Sequence, residues 1–333
     1  MNYLIADLSP RPLLEFTPAE TCEAMNRSFE EYFVPLVFDT AGFERRFRGE
    51  NLDAEASKLW FREGELLGLV LIARRGWHSR VAAMGLVVPE RGKGYGKVML
   101  QAAIDEATAR GDRHLTLEVF TPNEPARRLY ERLGFRNTRL LRTFGYPAKQ
   151  AAGPVPELAE ADPREVARLL SREADTELPW MVAPETLAAL APPVRAVHLE
   201  NKAFAIVRTD PHRTLLLTLV VPQQYQRQGW GSRLLQALEV AYSEKNFLTY
   251  MVVEGPFKAL LEARGWEAQA LTLWEMERRL GKWRGISFRD SAPLASFGFR
   301  SGRGMEFRVT APAAALSRLP AGGLRPGTAG PAA

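Results

Sequence analysis

The sequence is poor in the residues that build metal sites and covalent cross-links. Its 333 residues include one cysteine, Cys22, and four scattered histidines. A single cysteine excludes an internal disulfide framework and is typical of a reducing cytoplasm, which is the expected location. The histidines lack the spacing of metal ligands, so no metal is expected.

Long apolar runs and an export signal are missing as well. No stretch of about 18 uncharged apolar residues occurs, so we expect no membrane-spanning helix and no membrane partner. The first seven residues, MNYLIAD, lack the basic start and the long apolar stretch of a secretory signal.

Excess positive charge is absent from most of the chain and is concentrated near its C-terminus. The net charge is +5, and the residues from Lys282 onward carry eight Lys or Arg against two acidic residues. The body before Lys282 is therefore near neutral. A nucleic-acid partner would have to bind the extension, where the charges are spread out without an aromatic stacking platform. A solvated extension is the favoured interpretation.

What the sequence does contain is an internal repeat. Gly134-Phe135 returns 131 positions later as Gly265-Trp266, and a glycine-rich segment returns after 135 positions. The residues of that segment are Arg91, Gly92, Lys93, Gly94, Tyr95, Gly96 and Lys97 in the first copy and Gln226, Arg227, Gln228, Gly229, Trp230 and Gly231 in the second. Two markers in the same order at nearly the same offset predict that a whole domain is duplicated.

The composition of the intervening segments sets the expected domain boundaries. We expect a first domain at residues 1–145, a linker rich in Gly and Pro at 146–156, and a second domain at 157–281. A basic extension follows at 282–333, where the Ala/Gly/Pro-rich sequence predicts disorder from about residue 311 and short strands before it at Ile286–Arg289 and Met305–Val309.

Both copies have the same predicted order of elements, with strands and helices mixed in each. In the first copy we expect helices at Thr21–Phe33, Thr40–Phe47 and Asn123–Leu133 and strands at Leu59–Arg62, Leu66–Arg74, Val81–Val88 and His114–Phe120. In the second we expect a helix at Pro163–Ala174, strands at Ala196–Leu199, Ala203–Arg208 and Thr214–Val221, and a closing strand at Leu271–Met276. An amphipathic helix follows each glycine loop.

A strand followed by closely spaced glycines and a helix predicts a phosphate site. The glycines allow successive backbone N–H groups to point into one concavity, and the helix N-terminus adds positive potential. A Walker A loop is excluded because Arg91 stands at its first glycine and Val98 at its hydroxyl position. A dinucleotide fingerprint is excluded because Gly92, Gly94 and Gly96 are spaced by two throughout.

The loops and a second segment resemble the GNAT superfamily of N-acetyltransferases. The loop pattern [QR]-x-x-G-x-[GA] is met by Arg91, Gly94 and Gly96 and again by Gln226, Gly229 and Gly231. The family segment N-x-x-A-x-x-L-Y-x-x-x-G-F is met by Asn123, Ala126, Leu129, Tyr130, Gly134 and Phe135. The resemblance implies an α/β (α+β) fold of two tandem GNAT domains, each a mixed, mainly antiparallel sheet that splays after its fourth strand and is flanked by helices.

By the same resemblance, the loops hold the pyrophosphate of acetyl-CoA, the expected cosubstrate. Backbone amides near Val87 and Val88 would bind the thioester carbonyl, Asn123 would contact the pantetheine, and Tyr130 would protonate the departing CoA thiolate. Glu118, twelve residues before Tyr130, is placed like the glutamate that serves as base in the ribosomal-protein alanine acetyltransferases. Many family members use water chains as the base instead.

The second copy departs from the pattern where the chemistry is expected. Leu261 stands at the tyrosine position, Glu254 at the asparagine position and Thr249 at the glutamate position. Leucine cannot donate a proton, so this copy lacks the acid, and it is either a second CoA site or a scaffold. The first domain is therefore expected to transfer an acetyl group directly to a small-molecule or peptide amine.

Two other function classes stay open at this point. The chain could be a non-catalytic acyl-CoA-binding sensor or interaction protein, or a nucleic-acid-associated protein acting through its extension. Turnover with a panel of amines distinguishes an enzyme from the first alternative. Salt-dependent binding to nucleic acid that is lost on truncation at Gly281 would support the second. The sequence leaves the acceptor open, as well as the choice between monomer and homodimer.

Overall fold

The computed structural model describes residues 7–149, 157–281, 294–300 and 306–312, except residues 33, 35 and 175. Residues 1–281 form one compact unit, and the hairpin described below belongs to a second unit. We call residues 7–149 the first half and 157–281 the second half; the domain boundaries near residues 145 and 157 stay a prediction. In the described part, no helix is both long enough and apolar enough to cross a membrane.

The first half contains six strands and four α-helices whose ends follow local capping signals. Thr17 and Glu20 form a capping box at the start of the first helix, and Asp39 caps the second. The strands are β1 Leu8–Pro12, β2 Lys58–Arg62, β3 Glu65–Arg75, β4 His78–Leu86, β5 His114–Phe120 and β6 Arg136–Tyr146. The helices are α1 Pro18–Ser28, α2 Thr40–Gly49, α3 Tyr95–Arg110 and α4 Glu124–Arg132.

The second half repeats this order with one further strand, and several of its elements are shorter than their counterparts. Its strands are β7 Ala159–Ala161, β8 Val194–Leu199, β9 Ala203–Thr209, β10 Arg213–Val220, β11 Asn246–Val252, β12 Glu267–Ala268 and β13 Leu273–Arg279. Its helices are α5 Pro163–Glu173, α6 Pro184–Ala188, α7 Trp230–Ala241 and α8 Pro256–Ala263. A single 3-10 turn precedes each glycine loop, at Val88–Glu90 and at Gln223–Tyr225.

One continuous sheet joins the two halves in the order β1-β2-β3-β4-β5-β13-β6-β11-β10-β9-β8-β7, with β12 paired to β6. The strand β13 corrects one expectation, because it does not close the second sheet. It lies between β5 and β6, antiparallel to both, with Glu275 opposite Glu118 on one side and Arg139 on the other. Strand β6 in turn pairs with β11. The last strand of the second half therefore completes the sheet of the first.

Helices cover both faces of this sheet. The largest apolar cluster lies between α3, α4 and the first part of the sheet, and α1 and α2 cover the opposite face. In the second half, α7 and α8 lie on one face and α5 and α6 on the other. Trp180 of the second half also packs into the cluster under α1 and α2, which fixes the halves to each other.

The predicted splay of each sheet is present. Strands β4 and β5 pair in parallel over only four residue pairs, which end at Val81 and Leu117. Strands β10 and β11 pair over three, which end at Leu215 and Leu248. These strands make no further pairs among the described residues, which leaves an opening between them, and β4 and β10 each lead into a glycine loop and the helix that follows it. We call the two openings the first and second wedge.

Beyond Gly281 the structure describes one antiparallel hairpin. It consists of β14 Leu294–Arg300 and β15 Glu306–Pro312. The strand expected at Met305–Val309 corresponds to β15, and β14 was not predicted. The strand expected at Ile286–Arg289 and most of the linker lie outside the described residues. Disorder was expected from about residue 311; β15 includes Ala311 and Pro312, and the residues after them lie outside the described part.

Candidate active site

The first glycine loop has the backbone conformation of an anion-binding nest. Gly92 and Gly94 have φ values of 77° and 91°, in the left-handed region that L side chains avoid, and the space where their Cβ atoms would lie is open. Gly94 is the N-cap of α3. The glycines thus turn the chain so that the loop leads directly into the positive end of a helix.

Five successive amides at this point are available to a ligand. Within the described part of the chain, the N–H groups of Gly92, Lys93 and Gly94 donate to no other group. Those of Tyr95 and Gly96 are the first of α3 and have no partner inside the helix. A row of unpaired donors at a helix N-terminus fits a pyrophosphate, whose oxygens accept several hydrogen bonds at once.

The side chains of the loop hold it in place. The Arg91 guanidinium donates to the carbonyls of Leu86 at 3.0 Å and Glu30 at 2.5 Å, so it ties the loop to the segment after α1. The buried Tyr95 hydroxyl accepts a 2.7 Å hydrogen bond from Arg62. These two side chains act on the loop geometry, and the ligand-binding capacity lies in the backbone.

Three further charges stand near the loop. The Glu90 carboxylate lies 3.2 Å from a guanidinium nitrogen of Arg62 and 3.3 Å from Lys93 Nζ, so its charge is compensated. Lys97, on the first turn of α3, is exposed. Lys93 and Lys97 thus add positive potential at the mouth of the nest.

Of the two backbone amides just after β4, one is available to a ligand and the other is already hydrogen-bonded. Val87 N–H donates to the Leu67 carbonyl at 3.1 Å and is therefore used by the sheet. The Val88 amide donates to no group among the described residues. Of the two amides predicted for the thioester carbonyl, Val88 is the one that the geometry leaves available.

Helix α4 places Asn123 and Tyr130 on one face. Asn123 caps the helix by accepting the Ala126 N–H at 3.3 Å. Tyr130, two turns later, lies on the same face and is buried. Burial, and after it the neighbouring Tyr32, raises the pKa of Tyr130 above its ordinary value, so the phenol keeps its proton at neutral pH.

Glu118 has a partner that the sequence did not reveal. Arg80 Nε lies 3.0 and 2.8 Å from the two Glu118 carboxylate oxygens, and both side chains are almost fully buried. Glu118 is the first residue of β5 after its pairing with β4 ends. The ion pair therefore spans the point where the first wedge opens, and Arg80 binds both oxygens of the residue predicted to be the base.

The same ion pair extends into α2. Arg80 also donates to Glu50 at 2.6 Å, and Glu50 accepts from Arg46 at 3.0 Å. Burial alone would raise the pKa of Glu50, but Arg46 and Arg80 outweigh it and hold the pKa below 4.5. The Glu50 carbonyl accepts the indole N–H of Trp180 at 2.8 Å, so the second half also contacts this network.

The second glycine loop repeats the backbone of the first with different side chains. Gly229 has a φ of 81°, and Arg227 takes the left-handed conformation of Gly92 with a φ of 60°. Gln226 donates to the carbonyl of Val221 at 3.0 Å, five residues earlier, as Arg91 does to Leu86. The amides of Arg227, Gln228 and Gly229 donate to no described group. The second loop is therefore also a nest at a helix N-terminus.

Glycine also sets the helix packing behind both loops. A Cβ on Gly96 would lie 3.4 Å from Leu129 of α4, and one on Gly231 would lie 3.2 Å from Leu260 of α8. In the second half Trp230 replaces Tyr95 and is flanked by Lys202 and Arg233, 4.3 and 4.7 Å from its ring centroid.

Among the described residues, the second wedge has no counterpart of the Tyr130 hydroxyl or of the buried Arg80–Glu118 ion pair. Leu261 occupies the place of Tyr130 and is fully buried. The strand register corrects one expected equivalence. Asn246 begins β11 as His114 begins β5, so Tyr250, and not Thr249, lies where Glu118 lies. Burial raises the pKa of Tyr250. The one-residue shift arises because α8 has 8 residues and α4 has 9, whereas the loops that lead into them are equally long.

Two residues of the site were missed from the sequence. Arg80 is far from Glu118 in the chain, and only the parallel register of β4 and β5 brings them together. Tyr32 makes a side-chain hydrogen bond to Asn123, which lies far from it in the chain. Among the described residues, no group of His, Cys, Asp or Glu side chains could hold a metal ion.

Comparisons with known proteins agree with this geometry. Residues 20–135 match the model of the Acetyltransferase (GNAT) family. The tandem GNAT protein from the clavulanic acid biosynthesis pathway superposes with a TM-score of 0.58 at 15% identity, over 83% of this chain and 99% of that protein. Residues 20–135 thus match a GNAT acetyltransferase domain, and the described chain has the fold of a tandem GNAT protein.

Two curated relatives resemble a shorter part of the chain. Streptothricin acetyltransferase of Streptomyces lavendulae is 36% identical over 89 residues, which are 26% of this chain and 47% of that protein. The uncharacterized N-acetyltransferase YycN of Bacillus subtilis (strain 168) is 37% identical over 94 residues, which are 26% of this chain and 60% of that protein. The matched region thus spans about half the length of these relatives.

Proposed function

We propose that the protein transfers an acetyl group from acetyl-CoA to a primary amine in a ternary complex, within the first wedge. The observation that carries this proposal is the row of amides at Gly92–Gly96, which have no acceptor among the described residues and lead into α3, whose apolar cluster also contains the buried Tyr130. With the pyrophosphate bound to these amides, the thioester arm of acetyl-CoA can occupy the space between β4 and β5.

The chemistry follows from the groups along this path. The amine nitrogen attacks the thioester carbon and forms a C–N bond, while the carbonyl oxygen gains charge that the Val88 amide can stabilise. The C–S bond then breaks, and Tyr130 donates its proton to the sulfur. An ammonium acceptor loses two protons in all: one passes to a base before the attack, and the second leaves the nitrogen as the tetrahedral intermediate collapses. One of the two is matched by the proton that Tyr130 gives to the sulfur, so one proton is released to water when the base and Tyr130 return to their starting states.

Glu118 enters the proposal as the candidate base. To accept a proton, its carboxylate must exchange one hydrogen bond from Arg80 for one from the acceptor ammonium. Glu118→Gln tests this role through the pH dependence of kcat/KM, since loss of the base removes the acid limb of the profile. An unchanged acid limb assigns the base to water and leaves Glu118 as the partner of Arg80.

The second loop is proposed to bind a CoA pyrophosphate without catalysis. Its nest repeats that of the first loop, but Leu261 offers no proton to a leaving thiolate. A purely non-catalytic acyl-CoA-binding protein is the second candidate function, and the presence of this second nest favours it. In both cases the expected location is the cytoplasm.

Binding and turnover are measured separately to test the proposal. Calorimetry with acetyl-CoA tests the sites, and release of CoA thiol tests turnover with a panel of amines that includes streptothricin, small amines and peptides. Binding with turnover supports the transferase, whereas binding without turnover supports the sensor. Absence of binding contradicts both.

A further inference from the structure

A cavity of about 730 Å³ lies beside the paired part of β4 and β5, where the first wedge is closed. Strands β4, β5, β6 and β13 form one side of it and contribute His78, Thr116 and Glu275. The other side consists of residues between 170 and 185 of the second half, which include Glu177 and Trp180. A cavity of this volume is large enough for a small-molecule ligand.

The cavity reaches the strand position of the Arg80–Glu118 ion pair. His78 Nε2 lies 3.1 Å from Thr116 Oγ1, and both residues line the cavity. Two residues further along the same strands, and therefore on the same sheet face, are Arg80 and Glu118. Glu275 lines the cavity and is opposite Glu118 in the pairing of β13 with β5, which places their Cα atoms about 5 Å apart. The cavity thus leads to the candidate base.

The lining of the cavity carries a net negative charge at neutral pH. Its charged residues are four glutamates and two arginines, namely Glu177, Glu185, Glu275, Glu277, Arg75 and Arg139. Burial lowers the pKa of Arg75 to about 10, so this arginine stays charged at neutral pH. Burial also lowers the pKa of His78, so its imidazole is neutral. The net charge of the lining is therefore −2.

Both arginines of the lining are already bound by protein groups. Arg139 Nε lies 2.6 Å from a carboxylate oxygen of Glu275. Arg75 donates to Thr186 Oγ1 at 2.5 Å, and its guanidinium lies over the Trp180 ring, 4.1 Å from the centroid. An anionic ligand would have to displace these contacts, so the lining favours a cation.

Glu177 supplies the free charge. Its backbone carbonyl accepts a hydrogen bond from Arg139, while its exposed carboxylate pairs with no group among the described residues. The electrostatic effect of Glu177 on the pKa of His78 agrees with a carboxylate that faces the cavity. An ammonium group that binds there would gain a charge-assisted hydrogen bond without breaking an existing ion pair.

We propose that this cavity binds an acceptor with more than one amino group, and that Glu177 determines this specificity. One amine of the acceptor lies at Glu118 and reacts, and another, as an ammonium, binds the Glu177 carboxylate. The proposal rests on the proposed acetyl transfer and adds its substrate class, a small molecule with several positive charges. The second half thus selects the acceptor for a reaction that takes place in the first wedge.

The test compares spermidine, which has several amino groups, with butylamine, which has a single one, by release of CoA thiol. We expect the wild type to have a higher kcat/KM for spermidine. Glu177→Lys replaces the carboxylate by an ammonium and should lower the preference for spermidine over butylamine about 10-fold or more, through the KM of spermidine. Glu177→Gln removes only the charge and should lower it about 3-fold.

Glu244→Lys is the matched control. Glu244 is also exposed, its carboxylate also pairs with no described group, and it does not line the cavity. The change in net charge is the same, and we expect the preference for spermidine to equal that of the wild type. Thermal unfolding checks that each variant is folded. Equilibrium dialysis of spermidine with CoA present measures its Kd independently of turnover.

The outcomes separate this inference from the proposed function. An unchanged preference in Glu177→Lys, or an equal loss in Glu244→Lys, overturns the role of Glu177. A wild type that acetylates butylamine at least as efficiently as spermidine overturns the substrate class. No thiol release with any amine contradicts the acetyl transfer itself. Dialysis then still decides the cavity, because spermidine binding that Glu177→Lys weakens supports the site and binding that it leaves unchanged overturns it.

Discussion

The two wedges share a backbone and differ in the side chains behind it. Each has a single 3-10 turn, a left-handed glycine before a helix, and a glycine where the next helix crosses. The first wedge adds the buried Tyr130 on α4 and the Arg80–Glu118 ion pair at the point where β4 and β5 separate, which we call its apex. The second wedge has Leu261 at the place of Tyr130 and Tyr250 at the place of Glu118. A nest thus needs only left-handed backbone positions before a helix end, which Arg227 as well as glycine supplies, while proton transfer needs specific side chains around it.

Residues of the second half also complete the structure around the first wedge. Strand β13 of the second half completes the sheet of the first, and Trp180 donates to the Glu50 carbonyl beneath the first wedge. The half with Leu261 at the Tyr130 position therefore completes the sheet of the half that contains Tyr130. This arrangement predicts that the halves unfold as one cooperative unit.

The apex ion pair should give the largest effect on stability. Arg80→Met leaves Glu50 and Glu118 buried without their shared partner, and we expect a loss of about 3–5 kcal/mol in the free energy of unfolding. Arg195→Met, which removes an exposed pair with Glu160, should cost at most about 1 kcal/mol. Denaturant titration measures both, and equal losses would contradict the special role of the apex.

The acid position should give the next largest effect, and only in the first half. Tyr130→Phe is expected to lower kcat by about 10²-fold or more, as for loss of a general acid. Leu261→Met, at the equivalent buried position, keeps the volume and should leave kcat unchanged. Because the pKa of Tyr130 is raised, we also expect no loss of rate from its ionisation until pH exceeds 10. Steady-state kinetics across pH check both statements.

The acid stability of the first wedge depends on Glu50. Its folded pKa lies below 4.5, so its contribution to stability is complete above pH 4.5 and is lost as pH falls through the lower folded value. In Glu50→Gln, the free energy of unfolding should therefore fall less steeply with decreasing pH. Unfolding measured between pH 3 and pH 7 tests it, and an identical pH dependence in the variant would exclude Glu50 as a source.

The smallest effects should be equal in the two halves. Gly94→Ala and Gly229→Ala both force an L side chain into the left-handed region and are expected to cost about 1–2 kcal/mol each. Their unfolding free energies should agree within experimental error. A clear difference would show that the two nests are not the same backbone.

The sequence predicts the local elements well and the long-range partners poorly. Periodicity and caps located α2, β5 and α4 within a few residues, because these signals are local. The prediction that β13 closes the second sheet was wrong, because an alternating strand pattern carries no information on which strands it pairs with. Arg80 was missed for a similar reason, because the register of β4 and β5 and not sequence spacing places it on Glu118.

The most direct test of the account is thiol release by Gly94→Glu compared with Gly229→Glu. Each substitution places a carboxylate where one nest would hold a pyrophosphate, at equivalent backbone positions. We predict that turnover with the amine panel is abolished in Gly94→Glu and retained in Gly229→Glu. Turnover that survives in Gly94→Glu and is lost in Gly229→Glu would contradict the assignment of catalysis to the first wedge.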